Sequence, residues 1–225
     1  MRIVVTGAAG QLGTAIVQQY RDRADVIPAL RQTLDIGDAA AVEAFIARER
    51  PDAVINCAAY NDVDGAEDHA TDALRANALA VRALARAAAA AGAILVHYST
   101  DFVFDGLADR PYAEDDEPAP QSVYACSKLL GEWFAADCPR QFVLRVESLF
   151  GGSQRRSSVD RITDAIRKQE PARVFVDRTV TASYVQDVAD ATWKLMDAGA
   201  PSGLYHVVNS GVTTWLVRPL TKVRA

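Results

Sequence analysis

Short β-branched runs alternate with longer Ala-rich stretches along the chain. Residues 2–5, 26–30, 53–56, 94–98 and 141–146 are mostly apolar and of strand length. Between and after them, residues 10–22, 39–49, 71–91, 122–136 and 159–168 read as helices. In 71–91 the apolar positions Leu74, Ala78, Val81, Leu84 and Ala85 recur at helical spacing, and Gly92 ends the run. Strands buried on both faces read as continuous apolar runs, and strand-helix alternation predicts a parallel sheet covered by helices on both sides. Two polar, turn-rich stretches break the rhythm, 105–121 after the fourth strand and 151–158 after the fifth. In a doubly wound sheet, loops beyond the strands' carboxyl ends form the ligand walls. No internal repeat or long linker divides the chain.

Composition narrows the function classes. The 225 residues are 50% hydrophobic, enough for one cored domain with a small appended lobe. The formal net charge of -5, with acidic and basic residues interspersed, offers no basic stripe for nucleic acid. The apolar run at residues 3–5 is too short for a signal-peptide core, and the longest nearly apolar stretch, 87–96, is too short to span a bilayer. Cys57, Cys126 and Cys138 show no CxxC spacing, and His69, His97 and His206 lie at no ligand spacing. Free thiols, no metal site and a cytoplasmic setting are the expectation.

The first strand runs into Thr6-Gly7-Ala8-Ala9-Gly10-Gln11-Leu12-Gly13, which opens the first helix. Gly7 permits the tight turn, Gly10 lets the backbone approach a pyrophosphate, and Gly13 allows close helix-strand packing. The helix N-terminus then favours the diphosphate's charge. The spacing is GxxGxxG rather than GxGxxG, so its weight comes from the strand-turn-helix context. No acidic residue ends the second strand to bind an adenosine ribose. Arg31 stands there instead, either to accommodate a 2′-phosphate or as a solvated loop residue. NADPH is the expected cofactor, with NADH as the alternative.

Tyr124 and Lys128 stand one helical turn apart on one face. A neighbouring ammonium is expected to draw the phenol's pKa towards neutrality and make Tyr124 a general acid for a carbonyl under reduction. Ser99-Thr100-Asp101 at the end of strand four points hydroxyls at the same cleft.

The combination of TGAAGQLG, NCAAYNDVDGAE, STDFVFDG, YACSKLLGE and LYHVVNSG resembles the extended short-chain dehydrogenase/reductase superfamily, specifically its dTDP-4-dehydrorhamnose reductase group, from Met1 to about Trp215. The resemblance implies a Rossmann-type α/β fold: a dinucleotide-binding domain at 1–150, then a small, apparently truncated substrate lobe at 151–225 interleaved with the last Rossmann elements. It implies NADPH-dependent reduction of the C4 ketone of a nucleotide-linked deoxysugar, and it admits a homodimer. In those terms Tyr124 donates the proton, Lys128 holds the nicotinamide ribose, and Thr100 hydrogen-bonds the reacting oxygen. Asp101 either orients the site or caps a turn. The candidate cofactor contacts are Gly7, Ala9, Gly10, Gln11, Leu12, Gly13, Arg31, Asp35, Ile36, Cys57, Ala58, Ala59, Tyr60, Asn77, Tyr124 and Lys128. The candidate substrate contacts are Val63, Phe102, Ser148 and Arg178.

Phe102 stands where related 4,6-dehydratases carry a glutamate, which disfavours dehydration. Arg145-Val146-Glu147-Ser148-Leu149-Phe150 replaces an Arg-Thr-Ser-Trp-Val-Tyr-like run, so Ser148 stands for a tryptophan that would pack on the sugar. Arg178 either pairs with a substrate diphosphate or is solvated. Residues 216–225 lose the expected helical pattern and resemble a shifted frame or a truncated end. Two rival readings remain, a cofactor-binding regulatory protein and a nucleotide-sugar epimerase.

Overall fold

A computed structural model describes residues 1–155, 157–172 and 174–215. The expectation for residues 216–225 lies outside the described residues. Six parallel strands form the main sheet in the order β2-β1-β3-β4-β5-β7: β1 (Arg2–Thr6), β2 (Asp25–Ala29), β3 (Ala53–Asn56), β4 (Ile94–Thr100), β5 (Gln141–Val146) and β7 (Gly203–His206). The chain therefore folds as a Rossmann-like doubly wound α/β sheet. A second, two-stranded antiparallel ribbon joins β6 (Thr179–Val180) to β8 (Thr213–Thr214).

The interiors of the central strands are largely apolar because both faces are covered, with His97 on β4 and Arg145 on β5 as buried polar exceptions. On one side α1 (Gln11–Tyr20) and α8 (Val185–Asp197), which follows α7 (Ser158–Lys168) in the chain, pack Leu12, Ile16, Val185 and Val188 against Ile3, Val5, Ile55 and Leu144. On the other, α2 (Ala39–Glu49) and α5 (Ala80–Ala91) set Val42, Ile46, Val81 and Leu84 against Val4, Val54 and Leu95. Local chemistry marks the helix ends. The Asp38 carboxylate accepts from the Ala41 N–H at the start of α2, and Gly92, with φ +68°, closes α5 in the left-handed conformation that lacks a steric cost for glycine.

Three features differ from the sequence expectation. The helix expected at 71–91 is divided: α3 (Gly65–Asp68) and α4 (Ala70–Leu74) precede a π-helical turn at Arg75–Leu79, which then leads into α5. Strand β4 runs two residues further than expected and carries Ser99 and Thr100 in its last turn of the ladder. Strand β7 and helix α8 were not anticipated. β7 is a short, half-exposed edge strand whose apolar content is Leu204 and Tyr205, too little for a periodic signal. Among the described residues no helix is long and apolar enough to cross a membrane.

Candidate active site

The parallel register brings the expected cofactor residues to one edge of the sheet. β1 lies between β2 and β3, with Thr6 opposite both Ala29 and Asn56. The glycine turn, Arg31 and residues 57–60 therefore leave the sheet side by side. Inside the turn, Thr6 Oγ1 donates to Asn56 Oδ1 at 2.6 Å, and the Ala58 N–H donates to the same oxygen at 3.2 Å. Asn56 Nδ2 reaches His97 Nδ1 at 3.2 Å.

The glycines are required by space. Gly7 has φ +61°, and a Cβ there would sit 2.6 Å from the Ala58 backbone nitrogen. A Cβ on Gly13 would overlap the Gly7 carbonyl oxygen and approach Ala8 Cα at 2.9 Å. These are backbone atoms that cannot swing aside, so a side chain at either position would force the turn away from its own backbone neighbours. Gly13→Ala is expected to cost about 1–3 kcal/mol, roughly 2–12 °C of Tm in a chain of this size, read by thermal unfolding. An unchanged Tm would show that the turn relaxes freely.

Around this cradle the candidate residues are placed unequally. Ala9 is exposed, Leu12 is buried in the core, and Gln11 Nε2 donates to the Gly151 carbonyl at 2.8 Å. Gln154 Nε2 donates to the Ala9 carbonyl and to Thr14 Oγ1. The stretch at 151–154, expected as a substrate wall, thus lies against the glycine turn. Cys57 is half-buried against the core, and burial pushes its thiol well up, so it offers the turn its backbone rather than a reactive sulfur. Arg31 is exposed just past β2. Asp35 pairs with Arg75 at 3.4 Å, both half-exposed, and Ile36 packs on the α2-side core.

Asn77 occupies the π-helical turn. Its Oδ1 accepts from the Tyr60 N–H at 2.8 Å, while Nδ2 donates to the Tyr60 carbonyl and to Ser127 Oγ, each at 3.0 Å. Ser127 lies on α6 (Val123–Ala135) and donates to the Tyr124 carbonyl at 2.7 Å. One side chain therefore ties the loop after β3 to the helix that carries Tyr124 and Lys128. A π-turn inserted into a helix commonly marks such a site.

At the end of β4, Thr100, Asp101 and Tyr124 come together. Thr100 Oγ1 is 2.8 Å from Asp101 Oδ1 and accepts from the Phe102 N–H at 3.2 Å. Tyr124 is buried with Val63, Tyr60 and Phe102 around it, and the Phe102 ring meets the Tyr124 ring edge-on at 5.9 Å. Arg178 stacks over Phe102 at 5.2 Å and over Phe175 at 4.8 Å. Three of the four candidate substrate residues, Val63, Phe102 and Arg178, thus line the Tyr124 side of the cleft. Ser148 follows Glu147 beyond β5 in the left-handed region, φ +46°.

The electrostatics correct one expectation. Lys128 is buried, and its ammonium donates to the Tyr98 carbonyl at 2.6 Å. Burial lowers it to about 8, with Glu132 and Cys57 opposing. Tyr124 is not drawn towards neutrality. Burial and the Asp101 charge push it up to about 12, against a lowering contact from Thr100. Desolvation is the largest influence on the phenol, and the Lys128 ammonium is engaged elsewhere, by the Tyr98 carbonyl. The phenol therefore holds its proton at neutral pH, as a proton donor must. Asp101 is raised to about 7 by burial first and the neighbouring Glu147 second.

Glu147 is the residue that pattern-reading leaves without a role. It is buried, and its carboxylate accepts from the Thr181 N–H at 2.8 Å and the Thr181 hydroxyl at 2.9 Å. An open cleft of about 590 Å³ also lies further along the lobe, between Phe150, Tyr184, Asp187, Asn209 and Thr213, and none of the candidate residues lines it. No group of three metal-ligating side chains gathers among the described residues.

Comparison with known proteins gives the family. Residues 1–218 match the model of the RmlD substrate binding domain. A dTDP-4-dehydrorhamnose reductase of Mycobacterium tuberculosis is 41% identical over 219 residues, 95% of this chain and 71% of that protein. One from Streptomyces griseus is 36% identical, covering 95% and 72%. The crystal structure of a Bacillus anthracis dTDP-4-dehydrorhamnose reductase in complex with NADP superposes with a TM-score of 0.91 at 33% identity, over 95% of this chain and 76% of that one. The Clostridium acetobutylicum ortholog gives a TM-score of 0.90 at 36% identity, over 96% and 76%. The chain belongs to the RmlD substrate-binding-domain family, the dTDP-4-dehydrorhamnose reductase group of the extended short-chain dehydrogenase/reductases.

Proposed function

We propose that this chain, an NAD(P)-dependent oxidoreductase by family, reduces the C4 ketone of a nucleotide-linked 6-deoxysugar with NADPH, and that Tyr124 is the general acid. The observation that carries the reading is the enclosure of a protonated phenol beside Thr100, walled by Val63 and Phe102, on the same sheet edge as a glycine cradle with no room for a Cβ. The cradle fits a dinucleotide. Gly7, Gly10 and Gly13 would admit its diphosphate, residues 57–60 would line its adenosine side, and Arg31 would meet a 2′-phosphate. When bound, the dinucleotide supplies the hydride for the carbonyl carbon.

The chain's own groups do the rest. Lys128 gives one of its three N–H donors to the Tyr98 carbonyl, which leaves two for a ribose hydroxyl pair. Tyr124 gives its proton to the carbonyl oxygen as charge develops there. Transfer runs downhill, because an alkoxide binds a proton more tightly than even a raised phenolate. Phe102 and Val63 exclude water, and Arg178, held over two rings, presents a planar cation to the substrate diphosphate. We infer a cytoplasmic setting and a homodimer as the assembly to test first.

Loss of NADPH absorbance in the presence of dTDP-4-dehydrorhamnose tests the reading. Clear NADPH binding without consumption would overturn it in favour of a cofactor-binding regulatory protein, and sugar inversion without net consumption would indicate an epimerase. Arg31→Asp is expected to shift the NADPH-over-NADH preference by about 10–100-fold, the scale of a lost charged hydrogen bond. An unchanged ratio would discard Arg31 as the 2′-phosphate contact.

A further inference from the structure

β4 and β5 pair with Thr100 opposite Val146. The residues one step beyond, Asp101 and Glu147, therefore leave the sheet as neighbours at the mouth of the site. Both are acids; Glu147 is buried and Asp101 half-buried. Glu147 is clamped: Thr181 gives its carboxylate two hydrogen bonds, the Ser183 N–H donates to its carbonyl at 3.0 Å, and its own N–H donates to Ser183 Oγ at 3.3 Å. Both side-chain bonds fall on one carboxylate oxygen, Oε2, and with the two backbone bonds they hold the group in place.

Two carboxylates in adjacent, poorly solvated positions do not both ionise at low cost. The groups facing Asp101 are Glu147 just past β5, Arg178 from the segment before β6, Tyr124 from α6, and Thr100 at its own strand end. Arg178 alone among them favours the Asp101 carboxylate by its charge, and its guanidinium is occupied by the Phe102 and Phe175 rings. Glu147 has two donors of its own from Thr181, so Asp101 is the partner that takes up a proton.

Thr100 converts this pairing into chemistry. Its hydroxyl has one proton and two acceptor sites. Oγ1 already accepts from the Phe102 N–H and lies 2.8 Å from Asp101 Oδ1. Opposite an ionised Asp101, the Thr100 proton is drawn to the carboxylate and none remains for a ketone. Opposite a protonated Asp101, the acid O–H donates to Thr100 Oγ1, and the Thr100 proton turns towards the reacting oxygen.

We propose that Glu147 is a positioning residue for the reduction: its charge keeps a proton on Asp101, so that Asp101 donates to Thr100 and Thr100 donates to the carbonyl. The role in reduction rests on the reductase reading above; the pairing of the two acids does not.

Two measurements on the full chain separate them. In protein labelled with ¹³C at the aspartate carboxyls, the Asp101 signal (identified by its loss in Asp101→Asn) is expected to titrate near neutrality. In Glu147→Gln, whose amide oxygen still accepts from Thr181, Asp101 should bind its proton about tenfold less tightly or weaker still. Thr181→Val, which removes one donor from Glu147, should move it in the same direction by less. An Asp101 titration unchanged in both variants overturns the proposal.

The second readout is kcat against pH. Wild-type kcat should fall on the alkaline side as Asp101 loses its proton, Glu147→Gln should bring that fall to lower pH, and KM for NADPH should stay unchanged. A limb that does not move overturns the proposal. No turnover in wild type, together with a shifted carboxyl titration, sinks the reductase reading and with it Glu147's role in reduction, while the acid pair stands.

Discussion

Tyr124→Phe is expected to lower kcat by about 10²–10⁴-fold, the range that a positioned general acid contributes. Cofactor affinity should stay within a factor of about two, because the ring remains and only its hydroxyl is removed. The ring's packing carries the local structure: Phe102 meets it edge-on at 5.9 Å, with Ala66, Ala73 and Val63 around it. A phenylalanine keeps those contacts, so folding is unaffected. The proton is what the variant lacks. Retained turnover would place the acid elsewhere, with Asp101 the next group to test.

Glu132→Leu is expected to have the largest effect on stability. Arg145 on β5 and Glu132 on α6 face each other with both side chains only 5% exposed. The fork is bidentate, Nε to Oε1 at 2.9 Å and Nη2 to Oε2 at 2.7 Å. The guanidinium also lies 4.8 Å from the Phe104 ring and 3.5 Å, through Nη1, from His206 Nε2. Removing the carboxylate leaves a buried cation without its bidentate partner, at a cost of about 3–5 kcal/mol. For a chain of this length that is about 6–20 °C of Tm.

The double variant Glu132→Leu with Arg145→Met should recover most of the loss, since an apolar pair has no charge to desolvate. A single variant as stable as wild type would show that water reaches the guanidinium. The same change reaches the site, because Glu132 favours the charged form of Lys128 one turn away. Without it the Lys128 ammonium should release its proton at a lower pH than about 8.

What was legible in the sequence follows the range of each interaction. The glycine turn and the Tyr124–Lys128 pair are written in local spacing, since a turn and one helical step fix their geometry. Their electrostatics are not, because Lys128's contact with the Tyr98 carbonyl joins residues thirty apart in sequence. The Asp101–Glu147 neighbourhood depends on the register of β4 against β5, which no periodicity encodes. The π-turn at Asn77 looks in sequence like an uninterrupted helix, and only its two hydrogen bonds to the Tyr60 backbone explain the extra residue. Helix α8 had a readable stripe, Val185, Val188, Ala189, Thr192 and Met196, but the polar Thr192 within it and Asp187 and Asp190 between its positions weakened it.

The late arrival of β7 has a consequence for biogenesis. Strand β5 ends at Val146, and its outer partner comes only with residues 203–206, after the ribbon strand β6 and helix α8 have been made. During synthesis, β5 presents an unpaired apolar edge for the time taken to translate that insertion. Closing so long a crossover carries an entropic cost before any pairing repays it. Open edges of this kind recruit other nascent chains. A ribosome stalled before Gly203 therefore displays a sheet with one side unfinished, and such intermediates should depend on chaperones far more than the completed chain does.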